Sequence, residues 1–97
     1  MSDEEAKGVL AAEFLKLRAA GYPELVERLA ERQESSELIG LSGTAYHVEL
    51  QGYWDDDDHT ELRVVASIDD GGLRTFLPFT ESFTIDSTGG IKDHSPA

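Results

Sequence analysis

The densest concentration of chemistry-bearing side chains is Trp54-Asp55-Asp56-Asp57-Asp58-His59, a run of consecutive carboxylates closed by an imidazole. Hard divalent cations such as calcium and magnesium take clustered oxygen ligands, so Asp55, Asp57, Asp58 and His59 are candidate ligands for a weak cation site. The run lacks the alternating aspartates, glycine and distant bidentate glutamate of an EF-hand loop, and adjacent Asp side chains in a hairpin splay apart. A solvated, self-repelling loop is the plainer reading of the same residues. Asp69-Asp70-Gly71-Gly72 holds a second acidic pair, but Gly and Asp there are turn formers. Consecutive hairpin loops of a meander lie at opposite ends of the sheet, so this pair is not expected to join the first cluster.

Catalytic groupings are sparse. His47 and His59 are the only histidines before His94, and no serine stands in a G-x-S-x-G setting. Gly71-Gly72 and Gly89-Gly90 lack the Lys and Ser/Thr of a phosphate-binding loop. With zero cysteines, disulfides, thiolate nucleophiles and Cys-ligated metals drop out together. Nothing positive points to an enzyme, and no cofactor is implied.

Charge narrows the partners. Asp and Glu total 20 against 8 Lys and Arg, a formal net charge of −12. Such a surface repels phosphate backbones and anionic membranes, which disfavours direct nucleic-acid or membrane binding, and it speeds encounter with a basic protein. No apolar run approaches the roughly 20 residues of a membrane span, and the acidic start Met1-Ser2-Asp3-Glu4-Glu5 is unlike a secretory signal. A cytoplasmic location is the expectation.

These residues must be positioned by regular elements, and the hydrophobic period supplies them. Ala6, Leu10, Phe14 and Leu17 recur at three- and four-residue spacing, which predicts a helix over 3–20. Ala11, Ala12, Leu15 and Ala19 form a second stripe, so that Leu15 is either covered by another layer or exposed. Gly21-Tyr22-Pro23 breaks this pattern and opens a second helix over 23–33, with Tyr22, Leu25, Val26, Leu29 and Ala30 on its apolar face and Glu24 and Arg28 spaced as an ion pair. Over 34–43, Ser35-Ser36 and the two glycines signal a loop while Leu38, Ile39 and Leu41 signal burial, which reads as an ordered connector whose apolar residues plug one end of the core.

From Thr44 the period becomes two: Tyr46, Val48 and Leu50 alternate with His47, Glu49 and Gln51, a strand ending near Trp54. Leu62, Val64, Ala66 and Ile68 mark the next strand, and Leu77, Phe79, Phe83 and Ile85 a third, which Pro78 places at an edge or a bulge. The fold class expected is α+β, with two N-terminal helices packed on one face of a three-stranded antiparallel meander. Residues 1–86 make this one domain, and 87–97 read as a disordered tail.

The strand Tyr46-His47-Val48-Glu49-Leu50, its exit Trp54-Asp55-Asp56 and the run from Leu62 to Gly72 resemble small uncharacterised bacterial proteins. The resemblance covers the C-terminal half and implies a folded domain, without a function to carry over.

In a two-layer domain the outer face of the sheet is open. His47, Glu49, Gln51, Tyr53, Arg63, Val65 and Phe76 fall on that face and are the candidate partner-binding residues. The function expected is therefore a non-catalytic acidic interaction module, a small regulator or inhibitor of a basic protein; weak divalent-cation binding by the Asp-rich loop is the alternative. Unprotected sheet edges also allow a weak homodimer beside the monomer.

Overall fold

A computed structural model describes residues 3–70 and 79–93 of the chain. Helix α1 (Asp3–Ala20) and helix α2 (Tyr22–Leu29) precede five strands: β1 (Arg32–Ile39), β2 (Ala45–Trp54), β3 (Glu61–Asp69), β4 (Phe79–Asp86) and β5 (Ile91–Asp93). The strands form one antiparallel sheet in the order β1-β2-β3-β4-β5. The α+β class with two N-terminal helices holds, but the sheet has five strands, not three.

The three strands read from the period-two pattern are the central ones. Tyr46, Val48 and Leu50 of β2, Leu62, Val64, Ala66 and Ile68 of β3, and Phe83 and Ile85 of β4 are buried. They meet Ala6, Leu10, Phe14 and Leu17 from α1 and Leu25 and Leu29 from α2. Each large aliphatic side chain withdrawn from water in this way contributes roughly 1.5–3 kcal/mol. Helix α1 lies over β3 and β4, and α2 lies over β1, β2 and β3. Phe14 meets Phe83 edge to face, with ring centroids 5.0 Å apart.

Two corrections concern the flanks. The connector over 34–43 is largely strand β1, whose sequence RQESSELI is mostly polar on both faces and so carries no alternating signal. Its apolar residues do not plug the core: Leu38 packs against it in part, while Ile39 and Leu41 are exposed because they sit at the end of an edge strand and in the turn beyond it. The stretch from Ser87, expected to be disordered, turns back at 87–90 and pairs Ile91–Asp93 with β4. Three residues are too few to show a period. The candidate strand residues Phe76, Leu77 and Pro78 lie outside the described residues, as do 94–97.

Helix α2 is shorter than the 23–33 expected. It ends at Leu29, and Glu31 adopts φ 56° to swing the chain into β1. This turn is fixed by the buried Gly52: the Glu31 N–H donates to the Gly52 carbonyl at 2.8 Å, and a Cβ on Gly52 would stand 2.6 Å from the Leu29 carbonyl oxygen. Only glycine admits so close an approach of backbones. Arg28 does not pair with Glu24 as expected but with Glu34 of β1, Nε to Oε2 at 2.8 Å and Nη2 to Oε1 at 3.2 Å, because two parallel bonds outweigh one flexible contact along the helix. Leu15 is 67% exposed, so no second layer covers that side of α1 among the described residues.

Candidate functional site

The Asp-rich loop divides its side chains among different tasks. Asp56 folds back on the loop: its carboxylate accepts the N–H groups of Thr60 and Glu61, both at 2.9 Å, and the Thr60 hydroxyl. These bonds hold its pKa below the ordinary carboxylate value, the Thr60 hydroxyl most of all. Asp55 points to the outer face, where Arg63 Nε donates to both of its oxygens at 3.0 Å and the Thr84 hydroxyl donates at 2.9 Å. Its side chain is 23% exposed and that of Arg63 32% exposed.

His59 adopts φ 57°, stacks its ring on Trp54 at a centroid distance of 4.8 Å, and accepts the Tyr22 hydroxyl on its carbonyl at 3.1 Å. Asp57 and Asp58 stand exposed. The four candidate cation ligands are thus not brought together, and no metal-binding group of three or more acidic or imidazole side chains forms among the described residues. Sequence spacing placed them on one loop, but the partners of Asp55 and His59, on β3, β4 and β2, decide where they point.

The candidate partner-binding residues share one surface. Facing partners across the strands form rows on the outer face: Glu37, His47 and Asp69; then Ser35, Glu49, Ser67 and Thr80; then Gln33, Gln51, Val65 and Ser82; then Tyr53, Arg63, Thr84 and Lys92. Of the seven candidates, six lie here and are exposed or half-buried, with Tyr53 at 43% exposure; Phe76 is outside the described residues. The rows grade from acidic to mixed. His47 has Glu37 and Asp69 as cross-strand partners, and its Nε2 sits 3.3 Å from Glu49 Oε1. At the other end, Arg63 and Lys92 flank Thr84, which is the one buried polar side chain among the described residues.

Sequence reasoning missed the roles of two polar residues at the ends of the sheet. Glu5, in the first turn of α1, accepts the Ser42 N–H at 2.9 Å, the Ser42 hydroxyl at 2.6 Å and the Tyr46 hydroxyl at 2.7 Å, and so ties the helix to the β1–β2 turn. Its pKa is lowered, first by the Ser42 hydroxyl and then by Tyr46, whose own hydroxyl is pushed up to about 12, chiefly by donating to Glu5. Asp86 accepts the Thr88 hydroxyl at 2.6 Å and the N–H groups of Thr88 and Gly90 at 2.9 Å, closing the β4–β5 turn, and its pKa falls for the same reason. A sequence signal existed only for Asp86, in the Asp-x-Thr-Gly-Gly turn chemistry; the Glu5 contacts span 37 and 41 residues.

Surface grooves of about 500, 310 and 170 Å³ lie beside α2, between α1 and β4–β5, and at the β4–β5 turn. Neither His47 nor His59 hydrogen-bonds a serine or threonine hydroxyl among the described residues. No described helix is long and apolar enough to cross a membrane. Comparison with known proteins finds no matching family profile, curated protein or solved structure. Fold and site together define a small α+β domain that presents one polar sheet face to solvent.

Proposed function

We propose that the chain is a non-catalytic acidic interaction module that engages a basic protein through the open face of its sheet, acting as a small regulator or inhibitor. The observation that carries this reading is the row arrangement at one end of that face, where Glu37, Asp69 and Glu49 surround His47 on adjacent strands. Backed by a packed core, the strands hold these carboxylates at fixed spacing, so charge complementarity comes with register. A net charge of −12 steers a basic partner to the surface and opposes nucleic acid. Val65 and Tyr53, in the third and fourth rows, add apolar area to the same face. The molecule acts as a monomer or a weak homodimer in the cytoplasm.

Capture from a cell extract tests the reading, using the wild-type chain and a Glu49→Lys, Tyr53→Ala double variant as baits. The wild type should retain a basic protein at low salt, release it at moderate salt, and lose it on the double substitution. If no salt-sensitive basic protein is retained, the reading fails.

A further inference from the structure

Strand β1 is the outermost strand of the sheet, and its eight residues pair with β2 in an unbroken register from Arg32↔Gly52 to Ile39↔Ala45. Among the described residues no strand pairs with its other side. Six of the eight are exposed and the other two half-buried. An edge strand presents a row of unpaired N–H and C=O groups, and proteins usually blunt such edges by shortness, proline, lysine or a bulge. The opposite edge follows that pattern, since β5 has three residues. Strand β1 is long, regular and free of proline and lysine.

The charges on β1 are Arg32 at its start and the carboxylates Glu34 and Glu37. Glu34 on the inner face is held by Arg28. Glu37 on the outer face stands opposite His47, and one strand further lies Asp69. Beside them, at the end of the strand, Ile39 is 66% exposed and Leu41 fully exposed. At the outer face Glu37, with Asp69 two strands behind it, repels a second copy carrying the same net charge of −12 and attracts a strand with lysine or arginine.

We propose that the free edge of β1 docks an extended segment of a basic partner protein, which adds to the sheet as a further strand. The proposal rests on the basic-partner reading above and specifies its geometry. On the outer face the incoming residues stand opposite Gln33, Ser35, Glu37 and Ile39, so the segment carries a lysine or arginine against Glu37 and an apolar side chain two residues away against Ile39. Main-chain hydrogen bonds supply affinity and the alternate side chains supply selectivity.

The test titrates the isotope-labelled full chain with a peptide of repeating Lys-Thr-Val-Thr, which sets lysine and valine two residues apart on one face, and with the same peptide N-methylated at every backbone nitrogen. The N-methylated form keeps the charge and cannot donate to a strand. Saturable amide shifts centred on 32–39, slowed amide exchange in β1, and binding about tenfold weaker for the N-methylated peptide are expected. A Glu37→Lys variant should lose the lysine peptide and favour one of repeating Glu-Thr-Val-Thr. Equal binding of both forms, with shifts centred on His47, Glu49 and Gln51, would overturn strand addition and leave the basic-partner reading standing. Failure of both peptides to saturate overturns strand addition and the basic-partner reading together. Shifts in β1 that depend on protein concentration alone identify a second copy as the occupant and overturn the basic strand.

Discussion

Strands β1 and β3 lie one strand apart in the same sheet and are built on opposite terms. In β3, four residues of nine are buried, and strands pair with it on both sides. In β1 none of the eight is buried, and β2 alone pairs with it. The first is held by a core that would fail with it, the second by backbone pairing plus a few side chains such as Leu38 and the Arg28–Glu34 pair. A strand without a buried face specifies its register weakly from its own sequence, so β1 takes its place from β2. Evolution of a binding surface is easier there, because substitutions on β1 leave the core intact.

That contrast sets the scale of substitution effects. Phe83→Ala, which removes a fully buried ring packed on Phe14, should cost about 3–5 kcal/mol in urea unfolding. A loss below 1 kcal/mol would mean that the central strands are no better anchored than the edge. Gly52→Ala should cost about 1–3 kcal/mol, since its Cβ meets the Leu29 backbone and forces the end of α2 away from β2. The same measurement checks it, and a neutral result would show that β1 and α2 shift together as a loose flank.

Acid reports on the turns around the sheet. Glu5, Asp56 and Asp86 have folded pKa values below the ordinary carboxylate value, so their contribution is present above about pH 4 and is lost as pH falls through the depressed values. The thermal midpoint should fall as pH drops across that window, and replacing Asp56 by Asn should flatten the dependence. Tyr46 has the opposite sign. Its pKa is raised from 10.0 to about 12, so its contribution holds below pH 10 and is lost as pH rises through about 12. Ser35→Ala, on the exposed outer side of β1, should change stability by less than about 0.5 kcal/mol. A larger loss would show that the edge strand supports the fold as well as bounding it.

Legibility follows the same division. Tyr46, Val48 and Leu50, like Leu62, Val64, Ala66 and Ile68, announce their strands because alternate burial demands alternate hydrophobicity. The outer-face residues came with them, since parity on a strand assigns both faces at once. Strand β1 was hidden because polar residues on both faces leave no period, and β5 because three residues cannot show one. The helix boundary at Leu29 was misplaced because Ala30 and the charged residues after it continue a helical pattern, and only the Gly52 contact ends it.

The chain by itself determined the α+β class, the two helices, the three central strands with their buried faces, and the strongly acidic composition. Local periodicity and net charge are properties of neighbours in sequence, and they survive without knowledge of the fold. Tertiary structure alone decided the five-stranded order, the pairing of Arg28 with Glu34, the anchoring of Glu5 to Ser42 and Tyr46, and the separation of Asp55 from His59. Each of these depends on which groups the packed core brings within hydrogen-bond or ring-stacking distance, and that distance is set by the helices and sheet together.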